Sequence, residues 1–180
     1  VLFIIAPLVS ATTVTVTDVT GSAQYRIGSG GWQAVQVDDQ LSTDAEIVTS
    51  VRAGVTINAA GNEVVIGGLS RVRISELVQS AGEIRTRVEL PYGRMSANVR
   101  SGANRGNDFS VSTPIATAAV RGTEFTFSGY ELGVSHGDVD LANQIGQTHS
   151  VRAGQLSRAY GVQGIQSVEQ TLQERTLLRD

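Results

Sequence analysis

The sequence predicts an all-β fold of many short strands, closed at its C-terminal end by a short helix. Three observations predict it. Apolar and polar residues alternate in runs of about five residues, turn-forming residues return roughly every eight to twelve positions, and the composition is rich in glycine and poor in charge. The 180 residues include 20 glycines, with 17% charged against 41% hydrophobic, a balance that favours strands and tight turns over charged helices. No strand–helix alternation is found, which excludes a parallel α/β sheet. A sandwich, a barrel and a β-solenoid all fit the spacing, and periodicity does not choose among them.

Taken in order, the strand signals begin with Thr12 to Val19, where Val14 and Val16 alternate with threonines before Gly21 ends the run. Ala23 to Ile27 follows with Tyr25 and Ile27 on one face, and Gly28-Ser29-Gly30-Gly31 turns the chain into Trp32. Trp32, Val35 and Val37 are expected to pack inward. Asp38-Asp39 reads as a turn and Ala45 to Thr49 as the next strand. Beyond it, Val55 with Ile57, Val64 with Ile66, Val72 with Ile74, and then Ile84, Val88 and Leu90 are separated by Gly61-Asn62, Gly67-Gly68 and a polar turn at Ser80 to Gly82. Met95, Ala97 and Val99 share a face, Ser101 to Asp108 is a loop, and Phe109, Val111, Val120, Phe125 and Phe127 extend the apolar set. Leu132 to Val134 and Val139 to Leu141 read as a hairpin turning at Gly137, and Val151 to Gly154 ends the β pattern. The string VRAG at Val51 and Val151, with VRSG at Val99, has no matching flanks and reads as coincidence.

One domain is expected at this length. A net charge of −3, with all 14 basic residues arginine and scattered singly, argues against a nucleic-acid partner, which needs clustered positive charge. Cysteine is absent, so apolar burial must hold the fold without disulfides. The opening run VLFIIAPLV is too short to cross a bilayer, which takes about 20 residues. Followed by Val9-Ser10-Ala11, it matches the apolar region and cleavage site of a secretory signal, and Pro7 counts against a buried first strand. Residues 1–11 are therefore expected to be the remainder of such a signal, and the mature chain to act in the periplasm or outside the cell.

Catalytic chemistry finds little support. No nucleophile elbow, phosphate-binding loop or zinc-protease helix motif occurs. His136, Asp138 and Asp140 alternate, so on a regular strand they would share a face and could hold a cation, but Gly137 is expected to bend the chain between them. Asp38 and Asp39 point to opposite faces of a strand and read as turn formers. No catalytic residue, metal or cofactor is assigned.

The stretch from Val111 to Phe127 reads VSTPIATAAVRGTEFTF. Thr113-Pro114, then small residues, then Val120-Arg121-Gly122-Thr123-Glu124-Phe125, resembles the signature of FecR-like domains. Gly21 with Tyr25, Trp32 with Val35, Asp39 with Leu41, Ile47 with Thr49, Leu69-Ser70 with Val72, Gly93, and Gly137 with Val139 fall in the family's order. The resemblance thus covers roughly Val14 to Gly154. The motif also has physical sense of its own. Ala116 to Ala119 let backbones approach, Gly122 permits a positive φ in a tight corner, and Phe125 and Phe127 fall on one face to fill a core. Arg121 and Glu124 flank the corner, placed to pair or to bond backbone carbonyls. All eight motif residues are expected to be architectural.

The resemblance implies a β-rich domain with solenoid-like character, found in envelope proteins. In the sensor members a cytoplasmic segment regulates a sigma factor, a transmembrane helix follows, and a C-terminal domain meets an outer-membrane iron–siderophore transporter. Neither that segment nor that helix is seen in this sequence, which is more similar to stand-alone exported members such as those of spirochaetes. Ile165, Val168 and Leu172 recur at helical spacing, which predicts an amphipathic helix over about Ser167 to Arg179 and makes those three residues candidate partner contacts. The expected organisation is a residual signal over 1–11, a FecR-like β domain over 12–161 and a helical tail over 162–180. The expected function is a non-enzymatic protein-binding or assembly module of the bacterial envelope, a component of a periplasmic filament such as a flagellar sheath, with other envelope proteins as partners. The alternative is a periplasmic signalling module linked to transporter or sigma-factor regulation.

Overall fold

The computed structural model describes residues 13–80, 82–101, 106–161 and 164–166, together with Gln170 and Gln173. Sixteen strands are described. They are β1 (Val14–Thr20), β2 (Ala23–Ile27), β3 (Gln33–Ala34), β4 (Gln40–Leu41), β5 (Ala45–Thr49), β6 (Gly54–Ala59), β7 (Asn62–Ile66) and β8 (Arg71–Ser80). Then come β9 (Glu83–Tyr92), β10 (Met95–Asn98), β11 (Asn107–Ser112), β12 (Ala116–Phe127), β13 (Glu131–Asn143), β14 (Thr148–Arg152), β15 (Leu156–Ala159) and β16 (Ile165–Gln166). Period-2 patterning makes them strands. In β9, Ile84, Thr86, Val88 and Leu90 are buried while Arg85 and Arg87 between them, and Glu83 before them, are exposed, as the alternation of side chains on a pleated strand requires.

All sixteen strands join in one sheet curled into a half-barrel. Two arms meet on β12. Its first half pairs with β11, from Ser112↔Thr117 to Phe109↔Val120, and so with the arm β11-β9-β8-β5-β2-β3. Its second half pairs with β10, from Asn98↔Glu124 to Met95↔Phe127, and so with the arm β10-β7-β6-β1-β4. β13 runs along the other edge of β12, with β14 and β15 beyond it. The register shifts between Arg121 and Glu124, and such a bulge bends a strand and sharpens its twist. The bend turns the arms toward each other. Phe109 of one arm meets Phe125 in the second half of the shared strand β12 edge-on, with ring centroids 6.3 Å apart at 65°, inside a core that also buries Ile47, Ile57, Leu90, Met95, Leu132 and Leu141.

The chain crosses between the arms many times, and the crossings stack. The early ones, at Gly21, residues 50–53, residues 67–70 and Gly93-Arg94, are joined by Ser50 N–H to Ser22 O (3.0 Å), Leu69 N–H to Ser50 O (3.2 Å) and Gly67 N–H to Arg94 O (2.9 Å). The later ones are joined by Val99 N–H to Thr123 O (2.9 Å) and Ala153 N–H to Gly137 O (2.9 Å). The VRAG-like strings fall where strands end: Val51 and Val99 come just after β5 and β10, while Val151 and Arg152 are the last two residues of β14. They share a place in the fold rather than a backbone conformation, because the positive φ falls on Arg52 (58°) in the first and on Gly154 (78°) in the third.

Several expectations are corrected. Only Val35 of the expected inward trio is buried; Trp32 and Val37 are 39% and 51% exposed, because β3 is two residues long and ends the sheet. Ile27, at the end of β2, is exposed as well. Residues 131–143 form one continuous strand rather than a hairpin. Gly137, with φ of 80°, bends β13 where β12 bulges and does not reverse it. The β pattern also continues past Gly154 into β15 and β16, which are too short for alternation to reveal. Ile165 belongs to β16 and not to a helix. The helix expected over 167–179 lies outside the described residues apart from Gln170 and Gln173, as does the apolar run 1–11.

Candidate functional site

The motif from Thr113 to Phe125 shapes the later corner. Thr113 closes the turn into β12: its Oγ1 donates to Ala116 O at 3.1 Å and accepts from Ala116 N–H at 3.1 Å and Ile115 N–H at 3.3 Å. Pro114 sits in that turn, where its carbonyl accepts a hydrogen bond from the Gln144 amide. Val120 and Phe125 are buried on either side of the corner. Between them Gly122 has a φ of 60°, and a Cβ there would stand 2.6 Å from Ser101 Oγ and 2.8 Å from Ser101 Cβ. Thr123, 1% exposed, holds its Oγ1 at 3.0 Å from Arg121 O and 2.9 Å from Asp138 O, sharing one proton between two carbonyls. The next corner of β13 packs against it, because a Cβ on Gly137 would lie 2.7 Å from Thr123 Oγ1 and 2.8 Å from Gly122 O.

Arg121 and Glu124 differ from the rest of the motif. Both are exposed, and no ion pair joins them among the described residues. The reason is register: Arg121 stands opposite Asp138 and Glu124 opposite His136, so the bulge hands each to a different cross-strand neighbour. Ile165 is half-buried against the core, while Val168 and Leu172 lie outside the described residues.

Strand register assembles a charged surface that sequence order conceals. On the outer face Arg85 of β9 stands opposite Asp108 of β11, and Arg121 of β12 is next in line. Arg121 pairs in register with Asp138 of β13, and Asp138 with Arg152 of β14. The row alternates in sign across five strands. At its start Arg85 and Arg87 lie 3.5 and 3.6 Å from Asp108 and share Glu76. A shallow cavity of about 510 Å³ borders it, with Arg85, Arg100, Arg121 and Gly122 in its wall. A second of about 420 Å³ is walled by Asp108, Arg121, Asp138 and Asp140. Farther along the same arm, Glu46 is gripped by Arg26 Nε at 2.6 Å and Arg71 Nε at 2.5 Å. The Arg71 hydrogen bond holds the Glu46 carboxyl below its ordinary pKa; burial opposes this and Arg26 adds to it.

In the sequence these arginines are scattered, because neighbours in the row lie 13 to 23 positions apart. The only trace in the sequence is alternate charge within single strands, as in Glu83, Arg85, Arg87 and Glu89. Among the described residues, no group of three histidine or carboxylate side chains is placed to hold a metal ion; Gly137 breaks the line of His136, Asp138 and Asp140. The Asp39 carboxylate is engaged by Gln36 N–H at 2.8 Å, and Asp38 takes a φ of 71° in the turn. No described helix is long and apolar enough to cross a membrane.

Comparison with known proteins follows the fold. Two crystal structures of proteins assigned as anti-sigma factors from Parabacteroides distasonis superpose with TM-scores of 0.55 and 0.54, each at 18% identity. In both cases the match covers 67% of this chain but only 57% of the other. That likeness is one of fold. No curated protein matches the chain. The family model described as FecR protein matches residues 45–140, from β5 to the second half of β13, with the Arg121–Phe125 corner inside the matched region. With just over half its length matched in this way, the chain belongs to the FecR family.

Proposed function

We propose that the chain is a non-enzymatic, exported signalling module of the FecR type, which reports a binding event to a transporter-linked or sigma-factor-linked regulator through contact with other proteins. The family match over residues 45–140 carries this reading. The fold likeness to the anti-sigma factors supports it. The surface fits it too: arginines and carboxylates engage each other in cross-strand pairs, an arrangement suited to presenting a patterned face rather than to moving protons. The motif residues around Gly122 act as scaffold in this reading. The filament role expected from the sequence has no comparable support.

Cross-linking in the native cell tests it. A photoreactive residue replacing Arg121 or Tyr160, both exposed, is expected to capture a transporter's signalling region or a regulator of a sigma factor. Deleting the gene is expected to change transcription from a sigma-dependent promoter. Recovery of filament subunits alone, with transcription unchanged, would overturn the reading.

A further inference from the structure

The sheet ends in edges of unequal kind. β3, β4 and β16 are two residues long, and such short edges offer almost no template for another strand. β14 is different: five residues long, it pairs with β13 alone among the described residues. Its backbone polarity can be read from its ends. Asn143 N–H bonds Gln147 O, and Ala153 N–H bonds Gly137 O, so the odd-numbered residues of this stretch bond across to β13. Arg152 instead turns both groups away from β13, its N–H to Gln155 Oε1 at 2.8 Å and its carbonyl to Gln155 N–H at 2.9 Å. By the alternation of an antiparallel ladder, Thr148 and Ser150 also point their N–H and C=O groups away from the sheet. Both residues are exposed. No proline or lysine guards this edge.

The charge row described above ends on the same strand. It runs Arg85, Asp108, Arg121, Asp138, Arg152, and Arg152 is exposed with no ion pair among the described residues. The next strand in the sheet would continue the alternation with a carboxylate. On the inner face the position beside it would meet Val151, which is buried opposite Val139, and so would take an apolar side chain. Charge complementarity therefore chooses the occupant. A second copy pairing antiparallel through Ser150 would set Thr148, not an acid, against Arg152.

We infer that the outer edge of β14 is a strand-addition site, which accepts an extended segment of a partner protein with an Asp or Glu opposite Arg152 and apolar residues flanking it. Main-chain bonds to Thr148 and Ser150 supply the attachment, and the carboxylate fixes the register. The inference rests on reading the chain as a protein-binding module, and not on which signal it carries.

The test uses the whole chain, labelled for amide NMR, and a capped heptapeptide Val-Glu-Val-Thr-Val-Thr-Val, which in antiparallel register sets its glutamate opposite Arg152 and its threonines opposite Ser150 and Thr148, with a control carrying arginine in place of glutamate. The glutamate peptide is expected to slow exchange of the Thr148 and Ser150 amides and to bind roughly fivefold tighter than the arginine peptide, as opposite against like cross-strand charges imply. Arg152→Glu, checked for an unchanged fold by circular dichroism, is expected to reverse that order. Indifference to the sign of the peptide would overturn the inference. So would amides already protected in the free chain, which means that residues 167–180 cover the edge, or protection that grows with protein concentration, which means a second copy does. If β14 stays silent while cross-linking still recovers a signalling partner, the edge assignment alone fails.

Discussion

At Gly93 a single hydrogen in place of a methyl group decides whether two crossings can touch. Its φ is 97°, and a Cβ there would overlap the Cα, Cβ and Oγ of Ser70. Ser70 cannot retreat, because its Oγ accepts from Arg94 N–H at 2.9 Å and lies 3.1 Å from Arg94 O. Gly61 has nearly the same φ, 92°, but nothing within 4 Å of the same point. The pair separates packing from backbone strain. Gly61→Ala is expected to cost about 1 kcal/mol, and Gly93→Ala about 3 kcal/mol or more, since overpacking adds to the strain. Urea melts of both variants check this, and equal losses would show that the contact with Ser70 does not matter. The sequence marks Gly61 as a turn through its neighbour Asn62. Nothing local marks Gly93 as a contact, since Ser70 lies in another crossing.

At the scale of elements, ion pairs between strands sort by burial. Glu46 on β5 ties β2 to β8 through Arg26 and Arg71, and its side chain is only 12% exposed. The hydrogen bond from Arg71 lowers its folded-state pKa against the opposing effect of burial. A carboxylate lowered on folding contributes stability above its unfolded pKa and loses it as the pH falls through the folded value. Glu46→Gln is therefore expected to cost about 1–2 kcal/mol near pH 7, and the gap from the parent chain to close as the pH falls below the ordinary glutamate value of 4.5 and through the lowered folded one. Denaturation at several pH values measures it; a gap independent of pH would mean that charge is not its source. The Arg73–Asp44 pair, with side chains 45% and 59% exposed, serves as the contrast, and Asp44→Asn is expected to change little. The sequence marks Ala45 to Thr49, which contains Glu46, as a strand. It could not show its partners, because register between strands is set by packing.

For the whole molecule, the shared strand β12 governs cooperativity. Both arms hydrogen-bond to it and bury their apolar faces against each other, so neither has a complete core alone. Urea unfolding is expected to show one transition, with far-ultraviolet circular dichroism coinciding with the fluorescence of Trp32 at the far end of one arm. Two separated transitions would mean that the arms fold independently. Refolding is expected to take milliseconds to seconds, since pairing is mostly between distant segments, including the parallel pair β9–β11.

By itself the sequence determined what depends on near neighbours: which residues alternate, where glycine and asparagine permit turns, and a motif specific enough to point to a family. The tertiary structure decided what depends on register. It made one bent strand of an apparent hairpin, left Trp32 and Val37 at an uncovered end, and set three similar strings where β5, β10 and β14 end. It also lined up five distant charges in a row that stops at the open edge of β14. The division follows from the physics of sheets: a strand's pattern is written along the chain, but its partners are chosen across it.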